Sequence, residues 1–136
     1  YETVFMLSNN GIGQSTCIGV GGDMIPGSTF VDLLPDFNAD PETKAIIIIG
    51  EIGGNEEELA AEYLKKHVSK PVIALIAGKN APKGRSMGHA GAIVTADGTG
   101  SAANKEAVLR DAGVYIAENT QHIVDICLKL REEGKI

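Results

Sequence analysis

Two residues in this sequence have the type and setting for chemistry. His89 lies in the glycine-rich stretch GRSMGHAGAIV, and Glu51 closes the apolar stretch AIIIIGE, just ahead of a second glycine pair. A neutral imidazole is a nucleophile toward phosphorus and carbonyl carbon. A carboxylate that accepts a hydrogen bond from one ring nitrogen fixes the tautomer, leaves the other nitrogen free to attack, and stabilises the charge that develops on the ring. At this level both residues keep a plainer reading. A loop histidine is often exposed or satisfied by backbone groups, and a glutamate after a strand is often simply solvated.

The elements that must position these residues follow from hydrophobic patterning. Apolar runs of strand length fall at Thr16–Val20, Ala45–Gly50, Val72–Ala77, Ala92–Thr95 and Val114–Ala117. AIIIIG is apolar on both faces, as a central parallel strand covered by helices should be. Helices are predicted over Glu56 to about His67, Ala102–Ala112 and Thr120–Arg131, with Asn55, Ser101 and Asn119 as N-caps. Glu58 is placed to complete a capping box with Asn55. Glu56, Glu57 and Glu58 suit the positive end of the helix dipole, and Lys65 and Lys66 the negative end. Leu59, Ala60, Tyr63 and Leu64 form the expected buried stripe. Phe30, Leu33, Leu34 and Phe37 also have helical spacing, although Pro35 should break or distort that helix.

The alternation predicts an α/β domain of three layers, flavodoxin-like, with a mostly parallel five-stranded sheet. Ligands of such sheets bind beyond the carboxyl ends of the strands. Three glycine-rich segments, GVGGDMIPGS, GEIGGN and AGKNAPKGRSMGHAG, follow the first three strands and converge there. Glu51 and His89 thus follow neighbouring strands. Gly53, Gly54, Gly88 and Gly91 are candidates for supporting the loops or a phosphate. Gly21, Gly22 and Asp23 are candidates for the substrate side, although an Asp beside two glycines is also ordinary turn chemistry. The connection from the third strand to the fourth, which carries His89, lacks a clear helix.

Composition narrows the function classes. The 136 residues fit one domain, 43% hydrophobic content supports a core, and a net charge of −6 argues against nucleic acid or an anionic membrane as partner. Apolar runs such as Ala45–Ile49 and Val72–Ala77 are far short of a bilayer span, and no signal peptide is visible. Cys17 and Cys127 both read as small buried hydrophobes, which favours a cytoplasmic setting. His67 suits a helix C-terminus, and His122 a surface position in a first helical turn. GKNAPKG has the wrong order for a phosphate loop, and GTGSAA, which imitates a dinucleotide fingerprint, reads as a turn and helix cap. Neither a metal-ligand spacing nor a Gly-x-Ser-x-Gly elbow is present. The opening YETVFMLSNNG has no initiator methionine and no cap, and reads as the inside of a helix cut from a longer polypeptide.

Taken together, IIIIGEIGGNEEE, APKGRSMGHAGAIV and GQSTCIGVGGD resemble the C-terminal half of the α subunit in the succinyl-CoA synthetase (succinate–CoA ligase) family. The order and spacing of GEIGG and MGHAGAI carry the resemblance, which extends over nearly the whole chain. It implies that His89 is phosphorylated during turnover and that Glu51 orients it. Nucleoside triphosphate would phosphorylate His89, the phosphohistidine would pass its group to succinate, and coenzyme A would displace phosphate to give succinyl-CoA. It further implies that residues 1–136 form a C-terminal ligase domain, with the Rossmann-type coenzyme A domain outside this chain. A β subunit of ATP-grasp fold would supply the nucleotide site. The chain alone would then hold no cofactor and be inactive, while the full enzyme uses coenzyme A and ATP or GTP with magnesium. Its setting would be the bacterial cytoplasm or the mitochondrial matrix.

Two departures touch loop detail: Ser86 stands where relatives usually carry a basic residue, and Met24 where proline is common. ATP-citrate lyase and related acyl-CoA ligases share both motifs. The same relay acting on citrate or malate therefore stays open, as does a non-catalytic flavodoxin-like binding module with an inert His89.

Overall fold

A computed structural model describes residues 1–21, 25, 27–80 and 100–136. In chain order the elements are α1 (Glu2–Asn9), α2 (Phe30–Ala39), β1 (Ile46–Glu51), α3 (Glu56–His67), β2 (Val72–Ala77), α4 (Ala102–Asp111), β3 (Tyr115–Ile116) and α5 (Thr120–Glu132). The three strands are parallel in the order β1-β2-β3. Ile46 pairs with Val72 and Glu51 with Ala77, so β1 and β2 end level with each other at their carboxyl ends.

Alternation along the strands builds the layers, because successive side chains point to opposite faces. Ile46, Ile48, Ala74 and Ile76 pack with Leu34 of α2, Ala60, Ala61 and Leu64 of α3, and Leu109 of α4. The opposite face sends Ile73 against Leu7 of α1 and Ile123, Val124, Cys127 and Leu130 of α5, with Ile47 and Leu75 packed alongside. Helices on both sides of a parallel sheet make the expected three-layer α/β architecture.

The strand count differs from expectation: three among the described residues, not five. Ala92–Thr95 lies outside the described residues. Thr16–Val20 has no ladder, and its residues are largely exposed, with Ile18 at 49%. An apolar run becomes a strand only where a partner accepts its hydrogen bonds, and β1 among the described residues pairs with β2 alone. Cys17, expected inside, is therefore exposed, whereas Cys127 is buried. Among the described residues β2 lies between β1 and β3, and Ile49 on the second face of β1 is 46% exposed.

Pro35 does not break α2. The helix is anchored at its start by a capping box, in which the Thr29 hydroxyl accepts from the Asp32 amide and the Asp32 carboxylate accepts from the Thr29 amide. Burial of Leu34 then holds the helix to the core across the bond that proline cannot make. The Ser101 and Asn119 caps are formed as expected, accepting from the Asn104 and His122 amides.

Candidate functional site

β1 delivers Glu51 to the carboxyl edge of the sheet, half-buried, as a residue on a strand's last position there should be. The turn that follows is fixed by three backbone donors. The Glu51 N–H donates to Oε1 of Glu57 at 3.0 Å. The Ile52 N–H donates to the Ala77 carbonyl at 3.2 Å, and the Gly53 N–H to the Gly100 carbonyl at 2.7 Å. Gly53 has φ +88 and its N–H is committed to Gly100. Gly54 follows, exposed, with φ +55.

The Gly53–Gly100 contact needs the absence of side chains. A Cβ on Gly100, whose φ is +74, would lie 3.0 Å from the Gly53 Cα. On the other flank, Gly78 packs against Ile52, where a Cβ would come within 3.0 Å of its side chain. Residues 78 and 100 bracket the segment that carries His89. Both of its described flanks therefore rest on the turn that follows Glu51.

Beneath the turn lies a buried charge cluster that the sequence reading missed. Lys105 is fully buried and pairs with Glu57, and also reaches Oε2 of Glu58 at 3.2 Å. Asn104 donates to the other Glu58 oxygen at 3.1 Å. Glu58 is thus drawn to α4, and the Asn55 capping box does not form; Asn55 makes no side-chain cap bond. Glu57 and Ala61 join Ala60 and Leu64 on the inner face of α3, while Leu59 is 43% exposed. Glu106, also buried, accepts from Lys79 at 2.7 Å and from Arg110 at 3.1 Å. The missed signal was a run of three glutamates on a helix whose inner face must include one of them.

Among the other expected site residues, Gly21 has φ +71. Gly22, Asp23, Gly88, His89 and Gly91 lie outside the described residues. His67 is exposed at the end of α3 and stacks on Tyr63 with ring centroids 4.7 Å apart. The His122 Nδ1 accepts from the Glu118 amide at 3.2 Å, a local contact at the start of α5. An open groove of about 360 Å³ runs along the outer side of α3, lined by Val31, Leu59, Tyr63 and Lys66. No group of His, Cys, Asp and Glu among the described residues is arranged to hold a metal. No helix among them is long and apolar enough to cross a membrane.

A parallel α/β domain that carries a carboxylate at the carboxyl edge, in a turn locked from both sides, has the architecture of a ligand-processing domain. The particular family follows from comparison: residues 1–119 match the model of the CoA-ligase family, and the chain belongs to it. It is 52% identical over 130 residues to the succinate–CoA ligase [ADP-forming] subunit alpha of Aquifex aeolicus, covering 96% of this chain and 42% of that protein. Against subunit alpha 1 of the same enzyme in Archaeoglobus fulgidus, identity is 54%, over 91% of this chain and 42% of the relative. The chain thus spans about two fifths of the length of these relatives. Among solved structures it resembles ATP citrate lyase from Methanothrix soehngenii, in complex with citrate and coenzyme A. There the TM-score is 0.73 and the identity 29%, over 85% of this chain and 20% of that one.

Proposed function

We propose that this chain is the phosphohistidine-bearing domain of a succinate–CoA ligase, with His89 as the phosphoryl carrier and Glu51 as the group that orients its ring. The observation that carries the reading is the bracketing of the His89 segment. Its described flanks, Gly78 and Gly100, both rest on the turn that begins at Glu51. Anchoring both flanks on one turn favours contact between what the segment carries and what the turn carries.

In the forward direction, one nitrogen of neutral His89 attacks the γ-phosphorus of a nucleoside triphosphate and the diphosphate leaves. The Glu51 carboxylate holds the proton on the other nitrogen and offsets the charge on the ring. A succinate carboxylate oxygen then takes the phosphoryl group and the imidazole is released. The coenzyme A thiol, losing its proton, attacks the acyl phosphate and expels phosphate. Each step is reversible. The relatives' names specify ADP formation, which favours ATP as the nucleotide. Nucleotide with its magnesium would come from a β subunit of ATP-grasp type, and coenzyme A from a Rossmann-type domain elsewhere in the α subunit. Residues 1–136 then form one C-terminal ligase domain. Gly53, Gly54, Gly88 and Gly91 are assigned to support of the loops or a phosphate, and Gly21, Gly22 and Asp23 to the substrate side.

The test is phosphorylation of the complete α subunit with its β partner and ATP. Acid-labile label is expected, lost in His89→Asn and reduced in Glu51→Gln with the fold intact by circular dichroism. Label that persists in His89→Asn refutes the carrier assignment, and if neither substitution matters the reading as a non-catalytic binding module gains. Turnover with citrate or malate in place of succinate refutes the substrate assignment alone.

A further inference from the structure

A buried ion pair is a poor way to stabilise a core, since an apolar pair of similar volume is often as good or better. The Glu57–Lys105 pair nevertheless lies directly under the Glu51 turn, with side-chain exposures of 5% and 0%. The two carboxylate oxygens of Glu57 have separate tasks. Oε2 meets Lys105, while Oε1 accepts the Glu51 N–H. Gly50 makes room for this arrangement: a Cβ there would collide with the Glu57 carboxylate and come 2.8 Å from its Cγ. Lys105 sits one turn into α4, just after Gly100, whose carbonyl holds Gly53. Through Glu57, Lys105 and the two glycines, α3, α4 and the Glu51 turn form one fixed unit.

We propose that Glu57, oriented by Lys105, is a positioning residue for phosphoryl transfer, setting the backbone of Glu51 so that its carboxylate meets the histidine ring. The inference rests on the Glu51–His89 reading above. A carboxylate displaced by an ångström loses much of its effect on a reacting group. The Glu57 oxygen satisfies a backbone donor and at the same time fixes the amide of the residue that carries the functional side chain.

The test uses the assembled enzyme with two paired substitutions, neither of which strands a charge at position 57, while the partly exposed Glu58 keeps its Asn104 donor. Glu57→Leu with Lys105→Met removes the acceptor, whereas Glu57→Gln with Lys105→Met keeps an oxygen for the Glu51 amide. The first pair should lower kcat and the single-turnover rate of phosphorylation roughly tenfold or more, with the KM for ATP changed less than about twofold. The second should recover most of that loss. If the Leu–Met pair fails to fold, Gly50→Ala replaces it, because its Cβ displaces the Glu57 carboxylate while leaving every charge in place; the same loss is expected. A wild-type rate in the Leu–Met pair, or in Gly50→Ala where that replaces it, overturns the proposal. So does a Gln–Met pair as slow as the variant that lacks the acceptor. His89→Asn run in parallel separates the two levels. Label persisting there refutes the carrier reading itself, while label lost there beside an unaffected Leu–Met pair refutes only the positioning role.

Discussion

Lys105→Met should be among the most destabilising single substitutions in this domain. Lys105 is wholly buried and Glu57 nearly so, and the two pair directly. Removing the ammonium strands the Glu57 carboxylate in the core, still tied to the Glu51 amide and unable to reach water without breaking α3 from the turn. Stranding one partner of a buried pair costs about 3–5 kcal/mol. Against a total stability of roughly 5–15 kcal/mol, that is about a fifth or more of what holds the chain folded. Near the melting point it corresponds to a fall of roughly 10–20 °C for a domain of this size. Glu57→Leu combined with Lys105→Met should recover most of the loss, leaving about 1–3 kcal/mol for the unpaired Glu51 N–H. Urea unfolding of wild type, both single variants and the double variant closes the cycle. A Lys105→Met variant within about 1 kcal/mol of wild type would refute the reasoning, since the carboxylate would then have found water or a proton at little cost.

Two further outcomes follow from the same contacts. Gly100→Ala places a Cβ 3.0 Å from the Gly53 Cα at a φ of +74, so it should cost about 1–2 kcal/mol from the left-handed backbone alone and loosen the Gly53–Gly100 hydrogen bond. Hydrogen exchange at the Gly53 amide should accelerate, and unchanged protection there would argue against the clamp. The two cysteines should separate in a thiol titration. Burial pushes the Cys127 thiol up from its ordinary range, which lowers its thiolate fraction at neutral pH, whereas Cys17 is exposed. Ellman's reagent should therefore react quickly with one thiol in the native protein and with the second only on unfolding. Cys17→Ser should remove the fast phase.

The fold was legible wherever a signal was local and repeated. Helix α3 spans Glu56–His67 as its pattern predicts, and Val72–Ala77 is a strand to the residue. Thr16–Val20 is apolar enough for a strand, but a strand is made by its partner, and β1 offers these residues no ladder. The exposure of Cys17 follows from that missing pairing rather than from any property of cysteine. Pro35 misled in the other direction. The rule against proline inside a helix weighs one lost hydrogen bond and one clash, while the structure adds a complete capping box upstream and a buried Leu34 beside it.

The site was legible in part, and the division has a physical cause. Glu51 ends an unbroken apolar run, so chain order alone assigns it to the carboxyl edge of a parallel sheet, where β1 places it. Glu57 was read as a dipole-compensating glutamate, and its Lys105 partner was not singled out at all. Forty-eight residues separate Glu57 from Lys105, and periodicity carries no information at that range. One sequence signal did point there. A glycine in the interior of a buried strand weakens it and marks a close approach by something else. Gly50 is such a glycine, and what approaches it is the Glu57 carboxylate. Reading Gly50 as a space reserved for a polar group on the following helix would have called for a buried cation to match. The next helix on the same face of the sheet, α4, carries a single lysine, Lys105, one turn in and within reach.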